Sequence, residues 1–545
     1  MVTATRALRG VVRRWAAPAA GTRLSRYVLA AIVFLALCVF YKVAADREGL
    51  VNADSVSFVV AAQDLLRGNW NLRGWTIVNS AWWPVQPVVY AGTLLARGPV
   101  AATPYVAGLA WATMVACAVW AAARPLRGVN GLIAGAVAFL FIGLPAVDTV
   151  VSAVPYITGS PFEALTTAGG LLSLALFWKA GSAGPGEEAP GRLRTGLLAA
   201  AAVVIAGSIV TSDALALATV IVPVLALAVL AVFRDRWDKR ILAGAAFGIV
   251  AFMLSRFLLW LLPATNGETV VQPVNWATFA PFDQFFSQNL GFAFQGVVGF
   301  FGAYWFGRPV LDLATLYVLV HLAALLFVLW AVGRSVVAAW RGWKQDWLLG
   351  VLALGFVSNL GAYAASILPA GLETSRYLLA LLPYGGAVAG RAFGEMFRDA
   401  GGRGKIVLCG VVAVFTVASV SSFSIWLRYA PYVSPRTQLI NWLVGHGLRY
   451  GYAQYSDAAA LTVESEGRLL VRPVGSWAVD RLGPIPYSAS QWYSEPMSFV
   501  VFDDQKGTGV SVPAAERTFG GGYTLTQVGS YQVAVWPQPF HVPAR

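Results

Sequence analysis

The chain has 545 residues, 58% of them hydrophobic and 12% charged, with a formal net charge of +13. A soluble domain carries about 25% charged residues, so most of this chain belongs in lipid. The basic excess is spread through short loops between apolar runs, which argues against a nucleic-acid-binding patch and for membrane orientation.

The first 26 residues hold Arg6, Arg9, Arg13, Arg14, Arg23 and Arg26 before an apolar run that starts at Tyr27. That run continues to Ala45, long enough to span and without a small-residue cleavage site, so it reads as a retained helix rather than a signal peptide. At about 20 apolar residues per span, eleven segments emerge: 27–45, 102–123, 129–147, 161–180, 195–211, 213–233, 241–262, 309–333, 347–368, 376–394 and 406–428. The stretch 84–98 (PVQPVVYAGTLLARG) is apolar but short, with two prolines. It predicts a helix at the interface or entering the bilayer partway.

One set of loops carries about 22 Lys and Arg against about six in the other, and the positive-inside rule makes the first set cytoplasmic. The tail 1–26 is then cytoplasmic, and an odd number of spans puts the C-terminus outside. The outer side of the cell membrane owns the long loop 46–83, the segment 148–160, the turn 211–213, the loop 263–308, the loop 369–375 and everything after 428. Large outer loops joined to small cytoplasmic ones imply chemistry on the outer face.

From Tyr429 the apolar runs stop and turn signals appear (VSP, DDQKG, FGGGYT). Alternating stretches such as RLLVRPV, SFVVFDD and YQVAVW read as strands after a helix-like TQLINWLVGHGL. The expected architecture is a polytopic α-helical membrane protein: a transmembrane module over 27–428 and a soluble extracytoplasmic α/β domain over 429–545. Cys38, Cys117 and Cys409 all lie in apolar segments and the three histidines are far apart. That leaves no disulfide framework and no histidine-based metal site.

Ionisable groups near a bilayer are costly and usually functional. In the first outer loop, Asp54 precedes a pattern with Val56, Val59 and Val60 on one helical face and Ser57, Asp64 and Arg67 on the other. That pattern predicts an amphipathic helix on the membrane surface. Asp54 is either the N-cap of this helix or a carboxylate held at the membrane surface as a general base. Asp148 and Glu163 flank the next outer loop, as solvated loop residues or, for Glu163, a favourable charge in a helix's first turn. Asp213 opens a span, as cap or as site. Arg256 lies inside the seventh span and Arg376 starts the tenth. Each either snorkels to the headgroups or offers a planar donor fork to phosphate. The loop 263–308 adds Asp283, Arg308 and many aromatics, including Trp276 and Phe279. No glycine-rich phosphate loop follows a strand, so no nucleotide site is indicated.

Three stretches carry a resemblance. NADSVSFVVAAQDLLRGNW after the first span is similar to the Asp-Glu motif and surface helix of the GT-C glycosyltransferases, polytopic enzymes that use lipid-linked sugars. TSRYLLALLPYGG is similar to the Arg-Tyr-Leu-Leu stretch of a late span in the branch containing the protein mannosyltransferases and the aminoarabinose transferase of lipid A. WLVGHGLRYGYAQYSDAAALTVESEGRLLVRPV resembles the start of the exported domain of bacterial relatives. Where the family has Glu after the Asp, this chain has Ser55.

The resemblance implies a polyprenyl-phosphate sugar donor in the outer leaflet and a glycan, lipid or protein acceptor in the bacterial cell envelope. It implies Asp54 as general base in an inverting transfer, with Arg376, then Arg256, and Arg308 at the donor phosphate. Asp148, Glu163 and Asp213 become helpers that position sugars or a divalent cation, magnesium or manganese. No cofactor is required by the sequence. The competing expectations are a lipid or glycan transporter, whose usual internal repeat is not visible here, and a non-catalytic envelope assembly protein, which would need only one span.

Overall fold

The computed structural model describes residues 23–47, 53–147, 151–159, 161–181, 191–233, 239–271, 278–309, 312–341, 346–478, 481–503 and 510–542. The tail 1–22, Asp148, Trp276 and the loop stretches 182–190 and 234–238 lie outside the described residues.

The membrane half runs α1 (Arg23–Ala45), α2 (Ala53–Leu66), β1 (Trp75–Val78), α3 (Val85–Arg97), α4 (Pro99–Ala123), α5 (Val129–Ile142), α6 (Ala153–Thr158), α7 (Pro161–Gly181) and α8 (Arg192–Ser212). A π-turn at Leu217–Ile221 leads into α9 (Val222–Val232). Then come α10 (Lys239–Ala264), β2 (Thr269–Val271), α11 (Leu290–Phe300), α12 (Leu313–Arg341), α13 (Trp347–Ala365), α14 (Leu381–Asp399) and α15 (Gly402–Leu427). Each of the eleven apolar segments overlaps one of these helices. Helices α1, α4, α8, α10, α12, α13 and α15 are long and apolar enough to cross a membrane by length and composition, and α5 and Leu217–Val232 are shorter apolar helices.

Helices α7 and α14 carry more polar residues and are largely buried against their neighbours. A helix walled by protein has little lipid to satisfy and tolerates groups such as Glu163 and Arg391. Small residues allow this close packing. A Cβ at Gly390 of α14 would run into the Ala134 carbonyl of α5, and one at Gly108 of α4 would lie 2.6 Å from the Cys38 carbonyl of α1.

Two expectations change. Arg376 does not start a helix: it sits in a 3-10 turn, Leu372–Leu378, and α14 begins at Leu381. Helix α2 is not a one-sided surface helix either, because every residue from Ser55 to Ala62 is buried. Helix α3 and the C-terminal half both pack against it, so its serine face is covered by protein instead of water.

The C-terminal half runs α16 (Thr437–Gly445), β3 (Tyr450–Ala453), α17 (Tyr455–Glu464), β4 (Leu470–Ala478), β5 (Arg481–Pro484), β6 (Ser488–Ala489), β7 (Met497–Asp503), α18 (Val512–Phe519), β8 (Thr524–Val528) and β9 (Tyr531–Phe540). Its six-stranded sheet has the order β5-β4-β3-β7-β9-β8. Strand β3 is parallel to β4 and β7, and the outer pairs are antiparallel. Leu439, Leu443 and Leu461 of α16 and α17 close one face, and Ala514 and Ala515 of α18 the other. The stretch SFVVFDD, read as a strand, falls on β7, an inner strand whose residues are mostly buried, as in strands covered on both faces.

A second, three-stranded sheet joins distant parts of the chain. Strand β1 of the first loop pairs in parallel with β2, which follows α10, and antiparallel with β6 of the C-terminal half. This sheet fixes the three segments that border the site.

Candidate functional site

A cavity of about 490 Å³ opens beside this small sheet, within the usual size range for ligand pockets. The first loop supplies Asp54 and Phe58 from α2 and Asn79, Ser80 and Trp82 from the turn after β1. The start of α7 supplies Phe162 and Glu163, the α8–α9 junction Asp213 to Ala218, and the end of α13 Tyr363, Ala365 and Ser366. Arg376 and Tyr377 come from the 3-10 turn, and Tyr487 from just before β6.

The walls are held by local hydrogen bonds. Asn289 Nδ2 donates to the carbonyls of Ala364 and Ser366 at 2.8 and 2.7 Å, replacing partners lost where α13 ends. The Ala280 N–H donates to the Ala365 carbonyl at 2.9 Å, which fastens the Phe279 segment over the same helix end. The Tyr363 hydroxyl and Thr374 Oγ1 are 2.9 Å apart, and the Tyr156 hydroxyl donates to the Leu372 carbonyl at 3.3 Å. Together these contacts seat the turn that carries Arg376.

The charges converge here. Arg376 Nε lies 3.1 Å from Glu163 Oε1, the arginine side chain being 30% exposed and the glutamate 3%. Arg376 Nη2 also donates to the Tyr377 hydroxyl at 3.2 Å. Glu163 occupies the first turn of α7, where helix N–H groups favour a negative charge. Asp213 directly follows α8 in extended conformation, and its Oδ1 accepts the Leu215 N–H at 2.9 Å. It therefore acts as a cap and also lines the cavity. Asp54 is the second residue of α2, inside the first turn. Its Oδ1 accepts a hydrogen bond of 2.6 Å from the Tyr455 hydroxyl at the start of α17. Burial, then the Asp54 charge, pushes the Tyr455 phenol far above its ordinary range and keeps it a donor.

Asp54, Glu163, Asp213 and Arg376 thus come together, although 322 positions separate the first from the last in sequence. Arg256 is exposed on α10, and Arg308 is half-buried after α11; neither lines the cavity. Among the described residues no group of three His, Cys, Asp or Glu is arranged to hold a metal ion. The Glu163 carboxylate is ion-paired with Arg376. In this structure the cation nearest Glu163 is thus the protein's own Arg376 guanidinium.

Sequence reasoning missed Tyr455, Tyr487 and Glu268. The two tyrosines sit in the C-terminal half with no pattern linking them to the first loop. Glu268 is buried where β2 begins. Its Oε1 accepts the Trp83 N–H at 3.0 Å, and its own N–H donates to the Asn71 carbonyl at 2.9 Å. Burial raises its carboxyl to about 8 against the two tryptophan N–H groups that lower it. An acid directly before β2 was the available signal, but it reads equally as a solvated loop residue.

No family model matches the sequence, and no curated protein does. Solved structures do. The chain is similar to the ArnT of Cupriavidus metallidurans bound to undecaprenyl phosphate, at 11% identity and a TM-score of 0.54, over 92% of this chain and 97% of that one. The apo form of the same protein matches at 12% identity and 0.53, over 94% and 98%. An Archaeoglobus fulgidus oligosaccharyltransferase, in complex with zinc and sulfate, matches at 13% identity and 0.50, over 90% of this chain and 71% of that one. At these identities the likeness establishes the fold alone: a helical membrane module followed by a C-terminal sheet domain, arranged as in those two proteins.

Proposed function

We propose that this protein is a membrane glycosyltransferase that moves a sugar from a polyprenyl-phosphate donor to a hydroxyl of a glycan, lipid or protein on the extracytoplasmic face. The observation that carries the reading is the meeting of Asp54, Glu163, Asp213 and Arg376 in one cavity among helices too apolar for a soluble enzyme. The likeness to ArnT, whose structure holds undecaprenyl phosphate, supports the same class of donor.

In this reading the Asp54 carboxylate takes the proton of the acceptor hydroxyl as its oxygen attacks the anomeric carbon. The new C–O bond forms as the bond from that carbon to the phosphate oxygen breaks, and configuration inverts. The electron pair leaves with the polyprenyl phosphate, whose growing charge is met by the Arg376 guanidinium. Glu163 holds that guanidinium in place, and Asp213 offers an acceptor to sugar hydroxyls. The planar fork of arginine suits phosphate, and the Arg376 side chain, though paired with Glu163, is 30% exposed and lines the cavity.

The test is transfer of labelled sugar from polyprenyl-phosphate donors in membranes containing wild type or Asp54→Asn. Loss of about 10³-fold or more is expected, the usual scale for removing a general base combined with orientation. A folded, correctly inserted Asn variant with full transfer overturns the reading. Vesicles that translocate the lipid without sugar transfer favour a transporter.

A further inference from the structure

We infer that Tyr455, carried by the C-terminal domain, is the positioning residue for Asp54, so that docking of this domain on the first loop sets the catalytic carboxylate. The inference rests on Asp54 acting as the base.

The hydroxyl of Tyr455 reaches Asp54 Oδ1 at 2.6 Å across 401 residues of chain. A carboxylate that acts as a base must present one oxygen to the acceptor in a fixed direction. A short hydrogen bond from a fixed phenol to Oδ1 holds the carboxylate in such a direction. The phenol is fixed from two directions. Its ring stacks on Tyr487 with centroids 4.8 Å apart, and Tyr487 stacks on Trp82 of the first loop at 5.4 Å. The ladder Trp82–Tyr487–Tyr455 therefore crosses once from the first loop into the C-terminal half.

Tyr487 is held in the left-handed backbone region at φ +66, a conformation that bulky L-residues rarely adopt and that costs them backbone strain. The cost is met by its N–H donating to the Thr76 carbonyl at 2.6 Å and by the β1–β6 pairing that follows. Such an outlier at a cavity wall marks a side chain whose place matters more than its backbone comfort.

Behind the phenol, α17 is anchored by a buried network. Arg436 Nε donates to Asp457 Oδ1 at 2.9 Å, Gln454 Nε2 donates to Asp457 Oδ2 at 2.6 Å, and Arg436 Nη1 donates to Glu464 Oε1 at 3.1 Å. Gln454 and Asp457 flank Tyr455, so the first turn of α17 cannot rotate without breaking charge-assisted bonds.

The experiment uses the full chain in nanodiscs with a polyprenyl-phosphate sugar donor, and compares Tyr455→Phe, Tyr455→His, Asp54→Asn and Tyr455→Phe with Asp54→Asn. Phe keeps the ring stack and removes only the hydroxyl. Expected are a kcat lower by about 10- to 100-fold, as for a misplaced catalytic group, and a donor KM within about threefold. The Phe substitution adds no further loss in the Asp54→Asn background, because the two residues act as one unit. His, which keeps a ring and a donor, recovers several-fold of the lost kcat. Normal kcat in Tyr455→Phe, a loss expressed only in KM, losses that add in the double variant, or equal kcat for Phe and His each overturn the inference. If Asp54→Asn is inactive and Tyr455→Phe is normal, only this inference fails. If Asp54→Asn transfers fully, the proposed function fails with it.

Discussion

Arg376 has two roles in the site, counter-ion to a buried glutamate and partner for a leaving phosphate, and one pair of variants separates them. At 3.1 Å from Glu163 and an effective dielectric of about 20, two unit charges attract by about 5 kcal/mol. Desolvation offsets part of this, and losing one partner of a buried pair costs about 3–5 kcal/mol because the other charge is stranded. Arg376 is 30% exposed while Glu163 is 3% exposed, so the lower end, about 3 kcal/mol, is expected for Arg376→Ala. With about 2.1 cal/mol/K per residue of unfolding entropy, that corresponds to a Tm drop of about 3 °C for a chain of this length. Replacing Glu163 by Gln in the same molecule removes the stranded charge, so the double variant regains most of the lost Tm. It does not regain transfer, because the phosphate still lacks its cation, a loss of about 10²- to 10³-fold. The assays are thermal unfolding in nanodiscs and single-turnover transfer from a polyprenyl-phosphate sugar. A double variant that regains both stability and transfer refutes the phosphate role and leaves Arg376 as a structural counter-ion.

Two further outcomes test other parts of the molecule. Burial raises the folded Glu268 carboxyl to about 8, above its ordinary 4.5. Between about pH 5 and pH 8 the folded chain therefore holds a proton that the unfolded chain has lost, and stability falls as pH rises through that window. Glu268→Gln should remove on the order of 4 kcal/mol of this dependence. Its Tm advantage over wild type should grow from pH 5.5 to pH 8, and an advantage independent of pH would count against a proton on Glu268. For sidedness, in a background lacking Cys38, Cys117 and Cys409, Gln527→Cys is expected to react with an impermeant thiol reagent on intact cells and Gly401→Cys is not. The reverse pattern would invert the topology.

The membrane architecture was legible in the sequence because a span must satisfy its backbone internally and show lipid an apolar surface, both of which leave a long local signature. The central strands β7 and β9 were legible for a similar reason. Asp54, Glu163, Asp213 and Arg376 could be singled out because a charge beside a bilayer needs an explanation. The residues alone could not rank Arg376, at the start of a span, above Arg256, inside one, by contact, because each could either snorkel or face a phosphate. Packing separated them, leaving Arg256 exposed and seating Arg376 against Glu163. Local pattern also misjudged α2: a serine-bearing face looks wet unless another part of the chain is known to cover it. Tyr455, Tyr487 and Glu268 belong to the same class, since their partners lie 401, 411 and 185 positions away. Periodicity records which residues leave water. Which carboxylate meets which donor depends on how close-packed helices and one three-stranded sheet bring remote segments together, and only the tertiary structure decides that.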